Sequence, residues 1–257
     1  MALSDPDRTA EPRPQAGARA DRVHRDIVSF VRRSSRMNTS QQRNWEAWHD
    51  RYVVDVPRGE RHTSVHPDAV VDWAAEFGRE RPLVVEIGSG TGDSLVAMAA
   101  ARPDHDLVAF EVFEPAVAST IGRLGRAGLG NVRVVVGDAI EGLSYLFGPG
   151  SVREIWMFFP DPWHKVRHHK RRLVSEEFAA IAHRVVAPGG LLRLATDWED
   201  YAEWMREALD RAPGWANAGG TADGWAPRFP ERPLTKYEQR GLDAGRRVHD
   251  LTYRRLP

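Results

Sequence analysis

Residues 158–163, Phe-Phe-Pro-Asp-Pro-Trp, place one carboxylate between two prolines and beside an indole ring. The prolines make this loop stiff, because each one locks its own φ and removes a backbone hydrogen-bond donor. The carboxylate of Asp161 can accept hydrogen bonds from a planar base, and the ring of Trp163 can stack on one. The apolar run Ile155–Met157 predicts a buried strand just before the loop. The pattern therefore indicates a nucleobase site at a strand end; the alternative is a simple proline turn.

A basic segment follows this loop at once. Its cationic or titratable members are Lys165, Arg167, His168, His169, Lys170, Arg171 and Arg172. The whole chain has 36 Lys and Arg against 36 Asp and Glu, so its formal net charge is zero. Any affinity for nucleic acid must therefore come from a local patch. We expect this segment to bind RNA phosphates; the alternative is the solvated start of a helix.

A glycine-rich turn connects a predicted strand to a predicted helix earlier in the chain. The apolar run 83–87 leads into Gly88-Ser89-Gly90-Thr91-Gly92, and apolar residues at helical spacing follow. Glycines at such a turn can adopt positive φ and let a ligand approach the backbone. The G-x-G-x-G spacing differs from the dinucleotide fingerprint G-x-G-x-x-G. The turn alone therefore leaves open whether it binds a ligand or only connects two elements.

Four carboxylates lie at the ends of successive predicted strands: Glu86, Glu111, Asp138 and Asp161. Ligands of an open parallel sheet bind outside the carboxyl ends of its strands. Glu111 lies about 20 residues beyond the glycine turn, where an acid commonly binds ribose hydroxyls. A cleft lined with negative charge suits a cationic, adenosine-bearing cofactor better than a pyrophosphate. The row of acids therefore predicts S-adenosylmethionine rather than a nicotinamide dinucleotide.

The composition limits the other classes of function. A chain of 257 residues is long enough for one α/β domain with a sizeable core. It has no cysteine, which excludes disulfides and Cys-ligated metals and fits a reducing cytosol. No apolar run approaches the roughly 20 residues of a membrane span. We expect a cytoplasmic protein with no metal, no membrane association and no obligate protein partner.

Alternating strand and helix patterns predict an α/β fold with a doubly wound sheet, in which residues 67–77 form a helix and Gly189–Gly190 end a later one. Residues 1–24 predict a disordered tail, and 25–257 a single domain. Within that domain, 25–65 form an N-terminal extension and 66–257 the Rossmann-like core. The arginines of the extension could contact phosphate or be solvated: Arg32, Arg33, Arg36 and Arg43. The tail from Leu234 predicts two short strand-like pieces around Gly241–Gly245.

The order of six motifs resembles the bacterial tRNA (guanine-N7)-methyltransferase family. These motifs are EIGSGTG, FEV, GDA, FFPDPWHKVRHHKRR, ATDW and RPLTKYEQRG, and the similarity runs from about Ser29 to Arg254. The resemblance implies a class I S-adenosylmethionine-dependent methyltransferase fold with a mostly parallel seven-stranded sheet. It also implies a tRNA substrate, with methyl transfer to N7 of guanosine 46 in the variable loop.

The resemblance assigns roles to residues that match the motifs. Asp161 corresponds to the catalytic aspartate. Cofactor contacts are expected from Glu86, Gly88, Gly90, Glu111, Asp138 and Asp161. Substrate contacts are expected from Lys165, Asp197, Thr235, Lys236, Tyr237 and Glu238. RNA contacts are expected from Arg167, His168, His169, Lys170, Arg171 and Arg172.

Three other functions remain alternatives at this point. A methyltransferase acting on an exocyclic amine would also use a proline-rich, acidic and aromatic loop, although the long basic run favours a shaped RNA substrate. A non-catalytic RNA-binding module on a methyltransferase fold is opposed by the intact row of four acids. A nicotinamide dehydrogenase is disfavoured by the glycine spacing.

Overall fold

A seven-stranded sheet forms the centre of the fold in the computed structural model, which describes Ser29 and residues 36–257. The strands are β1 (Leu83–Ile87), β2 (Asp106–Glu111), β3 (Val132–Val136), β4 (Val152–Phe158), β5 (Val186–Thr196), β6 (Trp215–Asn217) and β7 (His249–Arg255). Their order is β3-β2-β1-β4-β5-β7-β6, and only β7 runs antiparallel to its neighbours β5 and β6. The predicted doubly wound, mostly parallel seven-stranded sheet is confirmed.

Eight α-helices and one 3₁₀ helix accompany the sheet in the described part of the chain. They are α1 (Thr39–Tyr52), α2 (Trp73–Phe77), α3 (Asp93–Ala101), α4 (Glu114–Ala127), α5 (Ala139–Leu146), α6 (Glu176–Val185), α7 (Glu199–Arg211), α8 (Lys236–Asp243) and the 3₁₀ helix Val166–Arg171. Several begin at a side chain that accepts a backbone N–H, as Asn38 does for α1 and Ser175 for α6. None of the described helices is long and apolar enough to cross a membrane.

Both faces of the sheet are buried. Val84 and Val85 are neighbours in β1, yet they belong to separate apolar clusters because successive strand residues point to opposite faces. One cluster joins the sheet to α5, α6 and α7, and the other joins it to α3 and α4. The strands are therefore held in place from two sides, which fixes the positions of the loops at their carboxyl ends.

Helix α1 lies against α4 at a contact that requires glycine. A Cβ at Gly122 would overlap the amide of Asn44, and a Cβ at Gly125 would overlap the indole of Trp48. The hydroxyl of Tyr52 donates to the carbonyl of Leu129 at the far end of α4. The N-terminal extension is therefore packed closely on the core over the length of α1.

The structure differs from the sequence predictions in three places. The helix expected over residues 67–77 begins only at Trp73, and Gly189–Gly190 lie within β5 instead of ending a helix. Of the two strand-like pieces expected around Gly241–Gly245, the first is wrong, because residues 236–243 form α8, whereas the second agrees with β7. The 1–24 tail, the segment 27–35 apart from Ser29, and Arg32 and Arg33 lie outside the described residues.

Candidate active site

A cavity of about 370 Å³ opens where β1, β2, β3 and β4 end. It is lined by residues from the loops that follow these strands, among them Gly88, Gly90, Glu111, Val112, Phe113, Asp138, Ala139, Phe159 and Asp161. Gln41 from α1 and Tyr237 from α8 also reach it. Three of the four predicted acids, from three different strands, thus lie around one cavity.

The glycine turn presents its backbone to this cavity. Gly88 and Gly90 have φ values of 76° and 55°, a region that other residues rarely adopt. A Cβ on either glycine would meet nothing within 4 Å, so both face open space. Gly92 instead packs against Thr120, and α3 starts directly after it. The turn can therefore admit a ligand close to the main chain, beside the N-terminus of α3.

Glu111 connects the glycine turn to the end of β2. Its carboxylate accepts hydrogen bonds from the backbone N–H groups of Gly90 at 2.9 Å, Val112 at 2.8 Å and Phe113 at 3.0 Å. These contacts fix the carboxylate before any ligand arrives. A carboxylate can accept several hydrogen bonds at once, so Glu111 at this position suits a diol.

Asp138 is held by α5 and by the chain ahead of β1. Its side chain caps α5 by accepting from the N–H of Ile140 at 2.9 Å, and its own N–H donates to the carbonyl of Thr63 at 2.6 Å. Arg61 pairs with Glu141 at 2.6 Å in the same region. The contacts that residues 57–66 make with Asp138 and Glu141 were not predicted, and no pattern in that segment signals them.

Glu86 lies inside β1, next to the cavity-lining Ile87. Its side chain is buried, and Oε2 has no hydrogen-bond partner among the described residues. Burial, with a smaller contribution from the charge of Glu111, raises the pKa of Glu86 from its ordinary value of 4.5 to about 8. A cation bound nearby would favour the ionised form of this carboxyl.

The proline loop carries Asp161 to the rim of the cavity. Asp161 is exposed, and Phe159 and Trp163 on either side of it have φ values of 53° and 48°. They are the only non-glycine residues with positive φ in the described part of the chain. Such conformations cost about 1–3 kcal/mol each and occur mostly at functional sites. The surrounding structure therefore holds this loop in one particular shape.

The basic segment divides between the surface and the interior. Lys165, Arg167 and Lys170 are exposed, whereas His168, His169 and Arg171 are partly buried. The Arg171 guanidinium lies 4.5 Å from the centre of the Trp163 ring. Arg172 is only 2 % exposed and lies below the proline loop. Of the residues expected to contact RNA phosphates, those up to Arg171 are therefore at least partly exposed, and Arg172 is not.

The expected substrate residues of the tail lie at the start of α8. Tyr237 is 51 % exposed and lines the cavity, with Lys236 beside its ring. The Thr235 hydroxyl accepts the N–H of Glu238 and so caps the helix, while the Glu238 carboxylate is buried against two arginines. Gly241 packs against Asp197, whose Oδ2 accepts a hydrogen bond from Arg246 at 2.7 Å. Of this group, the structure brings only Tyr237 to the cavity.

The geometry fits a cationic nucleoside cofactor. Open glycine backbone, an ordered carboxylate at the end of β2 and further acids after β3 and β4 surround one cavity, and the buried Glu86 of β1 lies next to the lining residue Ile87. Within the described residues, no cluster of His, Asp and Glu has the arrangement needed to hold a metal ion. The strand order with an antiparallel seventh strand, together with this site, defines an S-adenosylmethionine-dependent methyltransferase of class I.

Comparison with known proteins supports this class and narrows it. The crystal structure of the 16S rRNA methyltransferase KamB shares the fold, with a TM-score of 0.51 and 18 % identity over 78 % of this chain and 98 % of that chain. Residues 80–251 match a family model described as "Putative methyltransferase".

Two curated relatives identify the family within this class. A tRNA (guanine-N(7)-)-methyltransferase of Cutibacterium acnes is 53 % identical over 92 % of this chain and 86 % of its own length. Another, from Nocardioides sp., is 47 % identical over 97 % of this chain and 96 % of its own length. The chain belongs to the tRNA (guanine-N7)-methyltransferase family, as its motifs predicted.

Proposed function

We propose that this protein transfers a methyl group from S-adenosylmethionine to N7 of a guanine in tRNA, at guanosine 46 of the variable loop. The observation that carries the proposal is the position of Asp161, exposed at the rim of an acid-lined cavity and fixed between two prolines. Membership of the family supports the choice of substrate. From a tRNA substrate we also infer that the reaction takes place in the cytoplasm.

The residues around the cavity suit the methyl donor. Glu111 would accept hydrogen bonds from the ribose hydroxyls of the cofactor. The open backbone at Gly88 and Gly90 would accommodate its amino-acid portion. Asp138 and the apolar Val112 and Phe113 would surround the adenine. When bound, this cofactor supplies an electrophilic methyl group on a sulfonium.

Methyl transfer to guanine N7 requires little from the protein beyond the correct orientation of base and cofactor. Guanine N7 carries a lone pair and no proton, so no general base is needed before attack. Orientation of the two reactants can supply much of the rate enhancement. The carboxylate of Asp161 can accept from N1–H and N2–H of the base and stabilise the positive charge that develops. Asp161 is therefore an orienting and electrostatic group.

Other parts of the site would hold the RNA. Reaching a base in folded tRNA requires the nucleotide to be splayed out of its stack, and an exposed aromatic ring can receive it. Tyr237 at the cavity rim is suited to this role. Lys165 and the exposed members of residues 166–171 would contact phosphates. Arg246 donates its hydrogen bond to Oδ2 of Asp197, so Oδ1 could accept a hydrogen bond from the substrate.

The decisive experiment uses radiolabelled S-adenosylmethionine and unmodified tRNA transcripts, followed by nucleoside analysis. We expect 7-methylguanosine as the product and a loss of transfer to a transcript in which guanosine 46 is replaced by adenosine. Label in an N2-methylated guanosine would instead identify an exocyclic-amine methyltransferase. Binding of tRNA with no transfer would identify an RNA-binding module.

A further inference from the structure

One arginine of the basic segment points inward. The side chain of Arg172 is 1 % exposed, whereas its sequence neighbours 165–171 are exposed or only partly buried. Its Nε donates to the carbonyl of Pro162 at 3.0 Å, and its Nη2 pairs with Asp200 in the first turn of α7. The guanidinium also lies 5.0 Å from the ring centre of Tyr201 and 5.2 Å from that of Trp204.

These contacts connect the proline loop to α7. Pro162 directly follows Asp161, and its carbonyl is the atom that Arg172 holds. The Tyr201 hydroxyl accepts the N–H groups of Leu173 at 3.2 Å and Val174 at 3.3 Å, so the chain after Arg172 is fixed to the same helix. Hydrogen bonds from a charged donor are stronger than those between neutral groups. Arg172 thus holds the strained loop at Pro162, the residue that follows Asp161.

We propose that Arg172 is a positioning residue for methyl transfer and makes no contact with RNA. It acts through the Pro162 carbonyl and keeps Asp161 at the place where the guanine must be held. The inference rests on the proposed function, since it assumes that Asp161 orients the base. It also separates Arg172 from the phosphate-binding residues beside it, which the sequence pattern does not do.

The proposed role predicts a loss of rate without a loss of RNA affinity. A displacement of about 1 Å at a reacting group can lower the rate about 10²-fold. A residue that contacts phosphate instead changes the salt dependence of binding by about one unit of log–log slope. The two roles therefore differ in separate measurements on the same variant.

The test compares Arg172→Gln with Arg167→Ala. We expect Arg172→Gln to lower the single-turnover rate at saturating tRNA and S-adenosylmethionine about 10- to 100-fold. Its salt slope for tRNA binding and its affinity for the cofactor should match those of the wild type. Arg167→Ala should lower the salt slope by about 1. Arg172→Lys, which keeps the charge beside Asp200, should recover part of the lost rate.

Two further variants separate positioning from general loss of stability. Arg79 pairs with the buried Asp106 at the amino end of β2, away from the cavity, so Arg79→Gln should destabilise the fold and leave the rate unchanged. Asp200→Asn changes a side chain that is 60 % exposed, and it should fold and lower the rate less than Arg172→Gln does.

The outcomes distinguish the possibilities. A salt slope lowered in Arg172→Gln as in Arg167→Ala would show a phosphate contact and overturn the proposal. A wild-type rate in folded Arg172→Gln would overturn it too. If that variant does not fold, a wild-type rate in Asp200→Asn overturns it, and a reduced rate supports it. A wild-type enzyme that transfers no methyl group to tRNA would instead refute the proposed function itself.

Discussion

The guanidinium of Arg232 donates a hydrogen bond of 3.2 Å to the carboxylate of Glu238, and both side chains are at most 2 % exposed. Arg228 donates to the same carboxylate at 2.8 and 2.9 Å, and Arg232 also pairs with Asp250 of β7 at 2.7 Å. The guanidinium of Arg232 lies 5.3 Å from the ring centre of Phe159. One buried group of charges therefore connects α8, β7 and the start of the proline loop.

Glu238→Gln is expected to destabilise the protein. The change keeps the shape of the side chain but removes the charge that Arg228 and Arg232 face, and breaking a buried ion pair costs about 3–5 kcal/mol. Urea unfolding should show this loss. The control is Glu203→Gln, whose pair with Arg206 is partly exposed and should contribute less than about 1 kcal/mol. A variant as stable as the wild type that has lost its preference for guanine would show that the carboxylate serves the substrate.

Helix α8 illustrates what the sequence pattern could and could not predict. The core helices and strands were predictable because apolar residues recur at the spacing of each element. Only Glu238 and Gly241 are buried in α8, so it has no apolar periodicity to recognise. The signal that was present is the Thr-x-x-Glu spacing of a helix start, which Thr235 fulfils by accepting the N–H of Glu238.

The functional site likewise has parts that the sequence could predict and parts that it could not. The carboxylates at strand ends could be placed at one cavity because parallel strands all end at the same edge of a sheet. The inward turn of Arg172 could not, because it depends on Asp200 and on the rings of α7, which are distant in sequence. The role of Arg232 similarly depends on three elements that meet only in the folded chain.

Glu111→Ala is expected to weaken binding of S-adenosylmethionine about 10- to 100-fold. The carboxylate would lose its bond to the ribose, and the glycine turn would lose the acceptor that orders Gly90. A hydrogen bond to a charged group contributes about 1.5–3 kcal/mol. Titration calorimetry measures the effect, with Glu114→Ala as a control of equal charge three residues away. Unchanged affinity in a folded Glu111→Ala protein would remove this residue from the cofactor site.

Glu86 should make stability depend on pH. Its folded-state pKa is about 8, whereas its ordinary value is 4.5, so between these values the folded chain holds a proton that the unfolded chain lacks. The contribution of Glu86 to stability is therefore complete below about pH 4.5, declines as the pH rises, and is lost above about 8. The slope of this decline is at most about 1.4 kcal/mol per pH unit.

Glu86→Gln should remove this decline. Thermal unfolding of the cofactor-free protein between pH 5 and 8.5 should show a variant that gains stability relative to the wild type as the pH rises. Parallel curves for the two proteins would mean that Glu86 is ionised in the folded state throughout this range.

Asp161→Asn is expected to reduce methyl transfer at least 100-fold and to leave the fold intact. The side chain is exposed, so the change costs little stability, but the amide cannot accept from both N–H groups of guanine or balance its developing charge. Single-turnover assays with labelled cofactor give the rate, and Asp104→Asn at a distant exposed carboxylate is the control. Retention of a tenth of the wild-type rate would refute the assigned role.

The close contact between α1 and α4 has an evolutionary consequence. Gly122 and Gly125 have no room for a Cβ while Asn44 and Trp48 occupy their present places. Replacement of either glycine therefore requires a change in its partner: a relative with a larger residue at position 122 should carry a smaller one at position 44, and the same should hold for 125 and 48. Covariation at these two pairs across homologous sequences would mark the docked N-terminal helix as an inherited part of the domain.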